Sequence, residues 1–150
     1  ALPISIRNFG VKLKLNANPS IIRGKRVILV DDSIVRGTTS RKIVEMVRAA
    51  GASEIHMRVS SPPTKHACFY GIDTPSEHEL MANRMTQEEM CRAIGADSLA
   101  FVSREGLYAA IDRPCKVHCD ACFSGDYPVP IDGISRETPP SLLRFHRTKG

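Results

Sequence analysis

The stretch VILVDDSIVRGTTS, Val27 to Ser40, decides how this chain is read. Four apolar residues end in two adjacent carboxylates, Asp31 and Asp32. Arg36, Gly37 and three consecutive hydroxyl residues follow shortly after. A short continuous apolar run fits a strand covered on both faces, the habit of parallel sheets. Thr39 to Ala50 then has helical spacing: Ile43, Val44, Met46, Val47 and Ala50 share one face, and Gly51 is placed to end the helix. EIHMRVS, starting at Glu54, sets Ile55, Met57 and Val59 at period two. Strand, helix and strand within about 35 residues make a βαβ unit.

In an open parallel sheet, ligands bind beyond the carboxyl ends of the strands, where Asp31 and Asp32 fall. The loop after them runs into a helix N-terminus, whose free N–H groups and partial positive charge hold phosphate. Gly37 lets backbone approach a ligand closely. Ser33, Thr38, Thr39 and Ser40 add hydroxyl donors, and Arg36 adds charge. The loop is neither a G-x-x-x-x-G-K phosphate loop nor a G-x-G-x-x-G dinucleotide turn. Carboxylates accept hydrogen bonds from sugar hydroxyls and hold Mg²⁺, directly or through its waters. The string therefore points to a sugar phosphate with Mg²⁺ nearby. A solvated turn or a helix cap is the bland reading of two adjacent aspartates, and the full string speaks against it.

Outward from this stretch, VKLKL (Val11 to Leu15) alternates as a half-buried strand would, and Asn16 to Ser20 reads as a turn. Pro62-Pro63 stops the second strand, and a long irregular stretch follows. TQEEMCRAIGA carries a capping box, Thr86 with Glu89, and Gly95 closes that helix. SLAFVS is a third buried strand and EGLYAAI a short helix. From Pro114 the chain turns rich in Pro, Gly and Cys, and RETPPSLLRFHRTKG reads as a tail. The expected division is residues 1–113, a parallel-sheet α/β domain; residues 114–130, an irregular Cys-rich loop; and residues 131–150, the tail. The chain opens with Ala1 and enters mid-pattern, so it reads as a piece of a longer protein.

With 150 residues, 42% of them hydrophobic, the chain suffices for one core. No apolar run reaches the roughly 18 residues a membrane span needs, and no signal peptide is visible. The formal charge is +5, with basic residues spread from Arg7 to Lys149. No basic run is interleaved with aromatics and Trp is absent, so nucleic acid is not an expected partner. A solvated surface, or attraction of a polyanionic small molecule, accounts for the charge.

Five cysteines are present, Cys68, Cys91, Cys115, Cys119 and Cys122. An odd number without a secretion signal argues against a disulfide framework and for a reducing, cytoplasmic setting. Cys119-Asp120-Ala121-Cys122 is a C-x-x-C, whose spacing suits a metal, a cluster or a redox dithiol. Cys68 is placed to supply a third thiolate. Cys91, in a helix, reads as a small core residue. His66 and His118 lie beside Cys68 and Cys119, so mixed His/Cys zinc ligation is the competing reading. His56 and His78 read as ordinary strand or surface residues, and Met46 and Met57 as core.

VILVDDSIVRGTTS resembles the phosphoribosyl pyrophosphate motif of the type I phosphoribosyltransferases. With SIRNFGVKLKLNAN, GKRVILVDDSIVRGTTSRKIV, SSPPTKHACFYGIDTP, IGADSLAFVS and CDACFSGDYP, the chain is similar to the glutamine phosphoribosylpyrophosphate amidotransferase family over most of Ser5 to Pro128. The resemblance implies a partial type I phosphoribosyltransferase fold and the first committed step of purine synthesis. In that reaction ammonia, released from glutamine in a separate N-terminal glutaminase domain, displaces pyrophosphate from phosphoribosyl pyrophosphate to give 5-phosphoribosylamine. It implies that Asp31 and Asp32 bind the ribose hydroxyls and the Mg²⁺ site, while Ser33 and Gly37, Thr38, Thr39 and Ser40 cradle the 5-phosphate. It also implies a 4Fe–4S cluster on Cys68, Cys119 and Cys122, with a fourth ligand before Ala1 and Cys115 a bystander. Homo-oligomers and inhibition by purine nucleotides belong to the same expectation. The pyrophosphate-contacting segment of the family precedes SIRNFG, so this stretch is not expected to turn over alone. The alternatives are a transcription regulator that senses phosphoribosyl pyrophosphate, and another type I phosphoribosyltransferase acting on a free base.

Overall fold

The computed structural model describes residues 16–114 and 117–131. The expected VKLKL strand, Cys115 and the tail lie outside the described residues. Asn18 caps a one-turn helix, α1 (Pro19–Ile22), by accepting from the Ser20 N–H at 3.0 Å. This helix stands where the sequence predicts a turn; Pro19 in the first helical turn is the local signal for it.

Three parallel strands follow: β1 (Arg26–Asp31), β2 (Glu54–Val59) and β3 (Ser98–Phe101), in the order β1-β2-β3. Between β1 and β2 runs α2 (Thr38–Ala49), the crossover helix of the expected βαβ unit. A 3₁₀ turn (Glu77–Glu79) and α3 (Met81–Arg84) break the irregular stretch before α4 (Gln87–Ile94). After β3 come α5 (Arg104–Ala110) and the single turn α6 (Ala121–Ser124). The chain is thus α/β with a parallel sheet and an irregular Cys-containing end.

Local rules set the ends of α4. Thr86 Oγ1 accepts from the Glu89 N–H while the Glu89 carboxylate accepts from the Thr86 N–H, and Gly95 closes the helix at φ 78°.

The core lies on one face of the sheet. Met57, Val59 and Leu99 meet Ile34, Met81, Met90 and Ile94, and Ile55 meets Val44 and Val47 of α2. Fully burying such side chains contributes about 1.5–3 kcal/mol each. The other face differs from expectation: in β1, Ile28 is 65% and Val30 75% exposed. Among the described residues α2 and α4 pack on the core face, and none covers Ile28 and Val30. Met46 also departs from the expected core. It is half-buried and joins neither cluster, whereas Val44, Val47 and Ala50 of the same helix are buried. No described helix is long and apolar enough to cross a membrane.

Candidate functional site

The carboxyl ends of the strands form the floor of the site. The Asp31 carbonyl accepts from both the N–H and the hydroxyl of Ser60, at 2.9 and 3.1 Å, which fixes the end of β1 against β2. The Asp31 carboxylate accepts from the Asp32 N–H at 3.0 Å, and the Asp32 carboxylate from the Ser33 hydroxyl at 2.8 Å. Among the described residues no cation pairs with either carboxylate. Both remain available to an incoming ligand.

The loop then turns into α2 through Gly37, which takes the left-handed conformation at φ 74°. The first intrahelical bond runs from the Arg41 N–H to the Gly37 carbonyl at 2.9 Å. The amides of Thr38, Thr39 and Ser40 therefore have no partner within the helix. Helices α1, α4 and α5 each carry a side-chain cap, from Asn18, Thr86 and Ser103. The start of α2 carries none and has no acidic residue in its first turn. Asp31, Asp32, Ser33, Gly37, Thr38, Thr39 and Ser40 all line one cavity of about 270 Å³, joined by Val35 and Arg36. Every residue read from the sequence as part of this loop site is thus brought together.

Arg36, which lines the cavity, also has a partner outside the loop. Its guanidinium donates to Glu79 at 2.9 Å, and Glu79 also accepts from the Ser76 hydroxyl at 3.0 Å. Those hydrogen bonds, from Arg36 first and Ser76 second, hold the Glu79 carboxyl below the usual range. Behind the loop, the Met81 N–H donates to the Val35 carbonyl at 2.8 Å. Neither Glu79 nor Met81 was legible as a support, because both act from a distant stretch.

A second cavity of about 390 Å³ holds the thiols. Cys68, Cys119 and Cys122 line it with Tyr70, Ile72, Phe123 and Tyr127, and Ser33 and Val35 border it as well as the loop cavity. Its walls are brought together by backbone bonds: the Lys65 and His66 N–H groups both donate to the Cys122 carbonyl at 3.0 Å. The Tyr127 hydroxyl donates to the Ala67 carbonyl at 2.6 Å, and the Tyr70 hydroxyl to the Val129 carbonyl at 2.7 Å. The Tyr70 N–H donates to Cys68 Sγ at 3.4 Å. Burial, with Cys119, Cys68 and Asp120 close by, pushes the Cys122 thiol up. None of the four described cysteines is in a disulfide.

Cys91 sits partly buried beside the core and donates to the Ala96 carbonyl at 3.2 Å. His66 faces Glu77 at 3.4 Å, and His118 lines a separate hollow with Arg104, Asp120 and Asp126. Neither imidazole lines the thiol cavity. His56 bridges Ser98 and Glu54 at 2.8 and 2.9 Å, a strand residue as expected. Among the described residues no group of three or more His, Cys, Asp or Glu side chains is gathered to hold a metal ion.

Comparison with known proteins gives a consistent set. Amidophosphoribosyltransferase 1, chloroplastic, of Arabidopsis thaliana is 56% identical over 124 residues, which is 83% of this chain and 22% of that protein. The amidophosphoribosyltransferase of Synechocystis sp. is 51% identical over 132 residues, 87% of this chain and 27% of that protein. Among solved structures, the glutamine phosphoribosylpyrophosphate amidotransferase of B. subtilis complexed with ADP and GMP superposes with a TM-score of 0.75 at 50% identity. That match covers 87% of this chain and 30% of the other. The chain therefore spans under a third of the length of the proteins it matches. No protein-family model matches it.

Proposed function

We propose that this chain, kin to the amidophosphoribosyltransferases over most of its length, supplies the ribose-5-phosphate half of a site for phosphoribosyl pyrophosphate. The observation that carries this reading is the uncapped start of α2, opening into one cavity beside Asp31 and Asp32. The whole reaction is transfer of ammonia from glutamine to the donor's C1, the opening step of purine synthesis. A glutaminase domain outside this chain would provide the ammonia.

The residues divide the work by charge. The amides of Gly37 to Ser40, with the hydroxyls of Ser33, Thr38 and Thr39, hold the 5-phosphate at the helix terminus. Asp31 and Asp32 accept hydrogen bonds from the ribose hydroxyls, which orients the ring for displacement. Their negative charge also favours a ring that gains positive character as pyrophosphate leaves. No protein nucleophile is needed. Two adjacent carboxylates without a paired cation fit Mg²⁺ by donor chemistry, and Mg²⁺, when bound, stabilises the departing pyrophosphate.

The thiol cavity supports a cluster reading. Three cysteines converge on one largely apolar hollow, a backbone N–H points at Cys68 Sγ, and a buried hydroxyl there lacks a partner. Cys68, Cys119 and Cys122 would hold a 4Fe–4S cluster with a fourth ligand from elsewhere in the protein. Ligation by these residues would tie the stretch after β2 to the Cys-rich loop. Cysteines in this role call for a reducing compartment.

Assay of the full-length protein with glutamine, Mg²⁺ and phosphoribosyl pyrophosphate tests the proposal. Asp31→Asn and Asp32→Asn are each expected to lower kcat/KM about 100-fold or more. A bound donor whose 5-phosphoryl group lies away from the start of α2 would sink it.

A further inference from the structure

Ser61 Oγ is the one side-chain nitrogen or oxygen among the described residues that is buried without a hydrogen-bond partner. Native folds give such groups partners, because a hydroxyl cut off from water and from acceptors is costly. Ser61 also lines the cavity bordered by Cys68, Cys119 and Cys122.

Its position is fixed. The preceding residue, Ser60, is doubly tied to the Asp31 carbonyl at 2.9 and 3.1 Å. The following residue, Pro62, is buried and restricts the Ser61 backbone to extended conformations. The other hydroxyls on the wall are largely committed. Ser33 donates to Asp32 at 2.8 Å, Thr74 accepts from the Cys68 N–H at 2.8 Å, and Tyr70 and Tyr127 donate to carbonyls at 2.7 and 2.6 Å. The remaining wall includes Val35, Ile72, Ala121 and Phe123, which offer a hydroxyl no side-chain acceptor. Among the acceptors that line this hollow with Ser61 are the sulfurs of Cys68, Cys119 and Cys122.

We infer that the Ser61 hydroxyl donates a hydrogen bond to a sulfur of the iron–sulfur cluster, a bridging sulfide or a ligating thiolate. The inference rests on the cluster reading above. Ser61 is then a positioning residue that sets the cluster's electronic balance. Reduction adds negative charge to the sulfurs, so an O–H···S bond strengthens on reduction and favours the reduced form.

The test uses the full-length protein, prepared anaerobically as wild type, Ser61→Ala, Ser61→Thr and Ser61→Cys. Iron content and the reduction midpoint are measured on each. Ser61→Ala is expected to keep its iron while its reduction equilibrium constant falls about tenfold, which is 59 mV for one electron. Ser61→Thr, which keeps the hydroxyl, holds the wild-type midpoint. Ser61→Cys, a weaker donor of similar size, falls between them and carries the test should Ser61→Ala lose its cluster. A role confined to packing would change thermal stability and leave all midpoints equal. Equal midpoints with iron retained would overturn the inference and leave the cluster reading standing. Wild-type protein devoid of iron would overturn both.

Discussion

The Met81 thioether sulfur lies 2.5 Å from the point a Cβ on Gly37 would occupy, and that glycine begins α2 at φ 74°. Space and backbone conformation thus both select glycine where the loop meets the helix. Gly37→Ala must push Met81, itself 4% exposed, into the core around Ile94, or open the turn. The expected cost is about 1–3 kcal/mol of stability. Weaker binding of phosphoribosyl pyrophosphate accompanies it. Urea denaturation and titration calorimetry of the full-length variant measure the two effects.

The Tyr127 hydroxyl clasps the Ala67 carbonyl at 2.6 Å and so joins the Cys68 arm to the Cys-rich loop. Tyr127→Phe removes this bond while keeping the ring that packs edge-on against Phe69, 5.4 Å between centroids. Stability is expected to fall about 0.5–1.5 kcal/mol. Release of iron to a chelator should quicken, followed as loss of the visible absorbance of thiolate-bound iron. An unchanged rate would show that the clasp is not what holds the two arms together.

Cysteine substitutions separate the thiols by role. Cys68→Ser, Cys119→Ser and Cys122→Ser in the full-length protein should each abolish or deplete bound iron. Cys91→Ala should keep it, because that thiol faces the Ala96 carbonyl beside the core. Iron analysis of the four proteins decides, and iron loss in Cys91→Ala alone would reverse the assignment.

Asp97 gives a pH dependence of known sign. Its carboxylate accepts from the Ile55 N–H at 2.6 Å and from Arg48 at 2.8 Å. These hold its pKa below the usual value, the backbone bond first and Arg48 second. A carboxyl whose folded-state pKa is depressed stabilises the fold above the unfolded-state value, and loses that contribution as pH falls through the folded one. Asp97→Asn is therefore expected to be less stable than wild type at neutral pH. The gap should close as pH drops below about 4, the ordinary aspartate range. Thermal melts across pH show this convergence, and a gap that persists at the acid end would refute the carboxylate's part in it.

What the residues disclosed on their own follows from how local each signal is. The capping box of Thr86 and Glu89 joins groups three residues apart, so the sequence already contained it. The loop from Asp31 to Ser40 is likewise one continuous stretch, and its seven candidates converge on one cavity. The pairing of Arg36 was not visible in the sequence because its partner, Glu79, arrives from beyond the second strand. Ser61 carries no signal of its own within SSPP, since an unmet hydroxyl is visible only once every neighbour is in place. The burial of β1 was overstated because an apolar run records what a strand can bury, not which neighbours are there to cover it.

That uncovered side of β1 has a practical corollary. Two β-branched residues point outward from a strand whose far edge is unpaired among the described residues. Bare strand margins of this kind template sticking between molecules. Expressed as a separate piece, this stretch should clump in proportion to its concentration, and charged replacements at Ile28 and Val30 should keep it dispersed.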